Sequence, residues 1–249
     1  MLKLKARAPG VGGGIVQEIV VMSNAHDGTP SLSVDVVADF VCVWCHVGTA
    51  RLDAALAALA ARRPDVRVTL RHQPFLLDTA MPDDGHPYPD YLVRKFGSLE
   101  AVKGLQAQVC AAAEGSGVHF DFAAIRRRPS TVRAHRLILR LQAAAADPAR
   151  VDALVHAIFR AYFEQGQDIG RSAVLAALAD AAGLGAPGLA DWLDGTELAD
   201  EVLTRHYRIG DRGVQGVPCF ILNDTVGLSG AQPVEVLLGA MLDTLAPVA

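Results

Sequence analysis

The chain has 249 residues, 51% of them hydrophobic and 20% charged, with a formal net charge of -4. That is enough for one well-buried core in an ordinary soluble globular protein, as one large domain or one domain with an insertion. The charge balance gives no electrostatic case for nucleic acid or an anionic membrane, and no apolar run is long enough to span a bilayer.

Residues 1–31 are the least informative part. Lys3, Lys5 and Arg7 precede a glycine-rich break at Gly10 and Gly12 to Gly14, and Glu18 interrupts the apolar residues that follow. A secretory leader needs an unbroken apolar core before a small-residue cleavage site, so this segment does not read as one. It reads instead as a disordered extension without chemistry, with Met22 a candidate start of the native chain. The expected setting is cytoplasmic.

Leu32, Val34, Val36, Val37, Phe40 and Val41 form an apolar run with little clean alternation, the pattern of a buried strand in a parallel sheet. Leu52, Leu56 and Leu59 then fall at helical spacing until Pro64. Between them stand Cys42 and Cys45, on a strand-to-helix turn. The first turn of a helix offers unpaired N–H groups and the positive dipole end, which favour a thiolate over a thiol. A thiolate is the species that attacks disulfides.

Val66, Val68 and Leu70 alternate with Arg67, Thr69 and Arg71 up to Gln73-Pro74, a second strand reached by a right-handed crossover. Three prolines and a glycine make residues 78–89 a loop. Helices are expected over 87–96 and 98–114, then a connector over 115–129, then a helix over 134–146. Val151, Leu154, Val155, Ile158, Phe159, Tyr162 and Phe163 step by three and four, a strongly amphipathic helix. Further helices are expected over 172–182, closed by Gly183, and over 196–208 with Thr196 as N-cap. His135, His156 and His206 lie on these helices without a shared ligand spacing and read as structural or surface residues, so no metal ligand set is assigned.

Strand signals return over 214–222. Asn223-Asp224 is a turn and 225–228 a short edge strand completing a hairpin. Pro233 then opens a final helix through Val234, Leu237, Leu238, Met241, Leu242 and Leu245. The order is βαβ, helices, ββα: an α/β thioredoxin-like core split by a large all-helical insertion at about residues 78–210, the whole domain spanning 32–247.

Three chemistries compete for the dithiol. Cys-x-x-Cys beside a βα unit in a chain without a secreted disulfide framework reads as a redox centre. Cys42, Cys45 and His46 also spell the haem c attachment string, but attachment needs export. Zinc needs four ligands, and no second Cys-x-x-Cys exists. Redox ranks first and zinc last. Cys110, in a helical pattern, reads as a small buried hydrophobe.

An ordered set of short motifs, from about residue 33 to the C-terminus, resembles the FrnE-like branch of the DsbA oxidoreductases. They are Cys42-Val43-Trp44-Cys45 with Gly48; Gln73-Pro74-Phe75; Met81-Pro82 with Gly85; and Ala134-His135-Arg136-Leu137. Ala161-Tyr162-Phe163 with Asp168-Ile169-Gly170, Gly216-Val217-Pro218, and Ser229-Gly230-Ala231-Gln232-Pro233 complete the set. The branch is related to the kappa-class glutathione transferases and the 2-hydroxychromene-2-carboxylate isomerases. The resemblance implies a protein-disulfide oxidoreductase in which Cys42 attacks and Cys45 resolves. It also implies a cis Val217–Pro218 bond packed against the dithiol. Trp44, Val217 and Pro218 are then the candidate substrate-binding residues.

The expected substrates are thiols or disulfides on a protein or a small molecule, with no cofactor beyond glutathione as a co-substrate; a homodimer is left open. Two residues depart from the family pattern: Val43 stands where proline is common, and Cys219 where a bulky apolar residue is common. The alternative activity is a glutathione-dependent isomerase or transferase. Relatives of that kind usually carry serine in place of Cys42. Cys219 reads first as core packing, with a third redox thiol as the sharper alternative.

Overall fold

A computed structural model of the chain describes residues Thr29 to Ala246. The expectation for the N-terminal extension falls almost wholly outside the described residues. β1 (Ser31–Ala38) leads through a turn into α1 (Val43–Arg62) and back to β2 (Arg67–Pro74), parallel to β1 from Ser31 opposite Arg67 to Ala38 opposite Pro74. Beyond β2 the chain forms β3 (His86–Pro87), α2 (Tyr88–Phe96), α3 (Leu99–Ala113) and β4 (Arg127–Arg128). It continues as α4 (Val132–Ala143), α5 (Pro148–Phe163), α6 (Ser172–Ala181), α7 (Leu189–Asp194) and α8 (Ala199–Asp211). The chain re-enters the sheet as β5 (Cys219–Leu222) and β6 (Val226–Ser229) and closes with α9 (Val234–Leu245). The main sheet has the order β2-β1-β5-β6, with β5 antiparallel to both neighbours.

Strand alternation sorts this sheet into two cores. Leu32, Val34 and Val36 of β1, with Phe220 and Leu222 of β5, point toward α1 and α9 and pack on Leu52, Ala55, Leu59, Leu237 and Met241. Val37, Cys219 and Ile221 point the other way, onto Phe75 and Ile209 of α8. Asp35 shares that second face. It is 2% exposed and held bidentately by Arg71 of β2 at 2.7 and 3.1 Å, so its burial is compensated. The helical segment has its own core around Leu137, Leu154, Ile158, Phe159, Tyr162 and Phe163, and that core extends to Phe40, Val41, Cys42 and Cys45. The dithiol turn thus lies at the seam between sheet and helices.

Four local expectations are corrected. The loop over 78–89 and the connector over 115–129 each contribute two residues to a second sheet, His86 opposite Arg128 and Pro87 opposite Arg127. Gly85, at φ 65°, makes that pairing feasible: a Cβ there would lie 2.3 Å from the Arg128 carbonyl oxygen. The expected strand over 214–222 shortens to Cys219–Leu222, since Pro218 has no N–H to give a ladder. α7 is an additional six-residue helix. Thr196 is not an N-cap; its carbonyl accepts from Ala199 N–H in a turn before α8, whose N-cap is Leu198 at φ 65°.

Candidate functional site

The turn before α1 is a hydrogen-bonded one, with Cys42 N–H donating to the Asp39 carbonyl at 3.0 Å. Cys42 is the extended N-cap residue, and its own carbonyl accepts from Cys45 N–H at 3.0 Å. It stands at the positive end of α1 without a side-chain hydrogen bond to the first-turn N–H groups. The two thiols are free and differ in environment. Cys42 is 7% exposed and faces a cavity, with Sγ 3.6 Å from the Val217 carbonyl oxygen. Cys45 is 0% exposed. Burial first, and the adjacent Cys42 second, push the Cys45 thiol well above its usual range.

The Val217–Pro218 peptide bond is cis. Pro218 packs on α1 at its second turn: a Cβ on Gly48 would come 2.7 Å from Pro218 Cγ. Gly48, Val217 and Pro218 are thus brought together with the dithiol. Trp44, 39% exposed, lines the same cavity of about 490 Å³ as Cys42. Tyr91, Leu105, Val109, Phe122 and Val217 contribute to its apolar wall. Tyr91 carries two cations near its ring, Lys95 Nζ at 5.6 Å and the Arg128 guanidinium at 5.1 Å. Tyr88, on the same wall, has its phenol pushed up to about 12, chiefly by burial.

Beneath the dithiol lies a buried polar pair that sequence reasoning did not single out. Asp39 is 1% exposed, and its Oδ2 accepts from Leu77 N–H at 2.8 Å. Its Oδ1 lies 3.8 Å from Nε2 of buried His135, an ion-pair separation too long for a hydrogen bond. Burial alone would raise the Asp39 carboxyl, but His135, Arg128 and the Leu77 amide together hold it below the usual range. A carboxylate at the end of an apolar strand, three residues before the first thiol, was the available signal.

His46, the ligand that the haem reading required, is 3% exposed and stacked on Phe159 and Phe163, at 5.4 and 5.6 Å. Its Nε2 lies 3.3 Å from Glu164 Oε1, so the ring is committed to the core rather than presented to an iron. Burial lowers its pKa from 6.5 to about 4, against the opposing pull of Glu164. The folded state therefore binds this proton less readily than the unfolded chain. Its contribution to stability is fully present above pH 6.5 and is lost as pH falls toward 4. At about 1.4 kcal/mol per unit this amounts to roughly 3 kcal/mol. His46→Gln is expected to remove this part of the acid destabilisation; urea unfolding at pH 7 and pH 4.5 measures it, and an unchanged pH slope refutes it.

Cys219 packs with Val37, Phe75, Ile209 and Ile221, a cluster separate from that of Cys42 and Cys45, and burial raises its thiol pKa. His206 accepts a hydrogen bond at Nδ1 from Leu76 N–H at 3.2 Å, a structural role. Cys110 is exposed, correcting the expectation of a buried one.

The model of the DSBA-like thioredoxin domain matches residues 33–242. Among solved structures, a probable DsbA oxidoreductase from Streptomyces coelicolor is 30% identical with a TM-score of 0.74, over 88% of this chain and 92% of that one. A 2-hydroxychromene-2-carboxylate isomerase shares the fold at 16% identity and a TM-score of 0.59, over 85% and 95%. No curated protein matches. With a family match over most of its length, the chain belongs to the DsbA-like thioredoxin-domain proteins.

Proposed function

We propose that the protein is a thiol–disulfide oxidoreductase acting on disulfides in apolar polypeptide segments. The observation that carries this is the pairing of an N-cap thiol that lines a cavity with a fully buried thiol one turn inward. In the reducing direction, the Cys42 thiolate attacks one sulfur of a substrate disulfide. A mixed disulfide forms, and the first substrate thiolate leaves and takes a proton. Cys45 then loses its proton and attacks Cys42 Sγ, releasing the second substrate thiol and leaving the Cys42–Cys45 disulfide. The substrate gains two electrons and the dithiol loses them; oxidation of a substrate runs the same steps backward. The raised pKa of Cys45 keeps it a thiol until a mixed disulfide forms beside it.

The surroundings support a polypeptide substrate. Trp44, Leu77, Phe96 and Leu105 are four of the eight large exposed apolar side chains among the described residues, and all four line the cavity beside Cys42. The Val217 carbonyl, facing Cys42 Sγ, offers a strand-pairing partner to an extended segment. Trp44, Val217 and Pro218 are assigned to substrate binding, and glutathione serves as an electron-exchanging co-substrate. Among the described residues no helix is long and apolar enough to cross a membrane; a cytoplasmic setting belongs to the proposal.

The enclosed apolar cavity also fits a small aromatic substrate, which keeps a glutathione-dependent isomerase as the second reading. A redox titration in glutathione buffers tests the first: Cys42 and Cys45 should interconvert between dithiol and disulfide in a single two-electron transition. Cys45→Ser should accumulate mixed disulfides with disulfide-bonded, unfolded polypeptides, visible on non-reducing gels. A dithiol that stays reduced across the range, with no trapped adducts, would transfer the assignment to the isomerase.

A further inference from the structure

A second cluster of chemistry-bearing side chains lies where α1, α5 and β2 meet. Asp53 comes from α1, Asp152 and His156 from successive turns of α5, and His72 from β2. Ligand atoms of Asp53, Asp152 and His156 all lie within 4.8 Å of one another. His156 Nε2 is 2.9 Å from Asp53 Oδ2 and 3.7 Å from Asp152 Oδ2. The other oxygen of Asp152 is 3.1 Å from His72 Nε2. The side chains of His72 and His156 are 11% and 16% exposed, and that of Asp53 is 45% exposed. The group is therefore walled on the inside and open to solvent at Asp53.

The alignment of these contacts is informative. Both Nε2 atoms are buried and make no hydrogen bond, although carboxylate oxygens stand at about hydrogen-bond distance. An N–H donor wants its acceptor on the ring axis. Two donors sharing one cation are instead displaced from each other's axes. With bonds of about 2.0–2.1 Å and angles of roughly 90–110° at the metal, their separation is about 2.9–3.4 Å. The separations from His156, 2.9 and 3.7 Å, bracket that range.

We propose that Asp53, Asp152 and His156 bind a divalent first-row transition cation such as Zn²⁺, with His72 an outer ion-pair partner 3.1 Å from the second oxygen of Asp152. One imidazole and two carboxylates form a hard-to-borderline set suited to such an ion, and water completes the coordination on the open side. His72 is itself fixed: Gln142 of α4 accepts from its backbone N–H at 2.8 Å and donates to its carbonyl at 3.0 Å. A carboxylate held by an outer histidine is the arrangement that orients a metal ligand. The other titratable or charged groups facing His156 are Arg160, on the next turn of α5, and His46 of α1. Burial pushes the His156 pKa down, but Asp53 and Asp152 outweigh it and raise it. A cation and a proton compete for the same ring nitrogen, as at any imidazole ligand. The site joins α1, next to the sheet, to α5 of the helical core, and it does not depend on the redox assignment.

The test uses the full chain carrying Cys42→Ser and Cys45→Ser, since the dithiol is itself a zinc ligand. Titration calorimetry with Zn²⁺ should give one site per chain, with proton release and affinity falling as pH drops from 7.5 to 5.5. Co²⁺ should give a weak visible band without the intense near-ultraviolet absorption of thiolate ligation. His156→Ala should weaken Zn²⁺ binding at least 100-fold, and His72→Ala, the outer partner, about tenfold. Asp53→Asn, at a half-exposed position that tolerates substitution, should weaken it at least tenfold. Absence of stoichiometric binding, or equal affinity in Asp53→Asn and the parent, would reduce the cluster to an ion-pair group and overturn the proposal.

Discussion

Cys42→Ser abolishes catalysed disulfide exchange: with reductant present, insulin reduction falls to the uncatalysed rate, a loss of at least about 100-fold. The argument rests on the inequality of the two thiols. A serine hydroxyl at the N-cap keeps the hydrogen-bonding geometry of the turn but supplies no sulfur nucleophile. Cys45 cannot take over, because it is fully buried and its thiol is held protonated well beyond the usual range. The folded structure should survive, since the turn is held by backbone hydrogen bonds from Cys42 and Cys45 that do not involve the sulfur. Circular dichroism and urea unfolding confirm that the loss is chemical. Retention of more than a tenth of wild-type exchange would show that Cys42 is not the attacking group.

Arg136→Leu is expected to be the most destabilising single substitution in the helical segment, costing about 3–5 kcal/mol. Arg136 is 2% exposed yet, among the described residues, faces no carboxylate at ion-pair distance. Its guanidinium donates to the carbonyls of Leu193 at 3.0 Å, Trp192 at 3.2 Å and Glu197, and lies 4.8 Å from the Trp192 ring. Trp192 and Leu193 belong to the last turn of α7, where the Trp192 carbonyl also accepts from Gly195 N–H at 3.1 Å. The cation thus caps the negative end of α7 and joins it to α4. Leucine fills much of the space but removes three charge-assisted hydrogen bonds: the Trp192 carbonyl keeps Gly195 N–H and the Leu193 carbonyl keeps Arg133, while the Glu197 carbonyl loses the guanidinium. Arg136→Lys keeps the charge without the planar fork and should recover less than half of the loss. Chemical denaturation measures both; a cost below about 1 kcal/mol for Arg136→Leu would refute this role.

Much of the molecule was legible because its elements are periodic. Leu52, Leu56 and Leu59 gave α1, the three-and-four spacing from Val151 to Phe163 gave α5, and Val234 to Leu245 gave α9. The dithiol was legible because a Cys-x-x-Cys at a strand-to-helix boundary is informative by position alone. The β3–β4 ladder was not, because two residues carry no period and one of them is Pro87. The start of α8 was misplaced because Thr196 has the chemistry of a cap while its backbone is spent on a turn. Asp39 with His135 and the cavity wall from α2 and α3 were invisible for another reason. Their partners are distant in sequence, and only the tertiary fold brings them beside Cys42. The same holds for His156, whose i,i+4 neighbour Asp152 was visible but whose contact with Asp53 crosses two helices.

The placement of both thiols in the helical core, rather than in the core shared by α1 and α9, ties electron transfer to mechanical fit. Under the redox reading, the reduction potential measures how much better the surrounding core accommodates the disulfide than the dithiol, at about 30 mV per 1.4 kcal/mol. Phe159 and Phe163 supply no reacting group to the exchange, yet they belong to the packing that must accept both states. A repacked aromatic in α5 that changes the stability of one state by 1.4 kcal/mol more than the other should therefore move the potential by about 30 mV, with the Cys-Val-Trp-Cys sequence untouched.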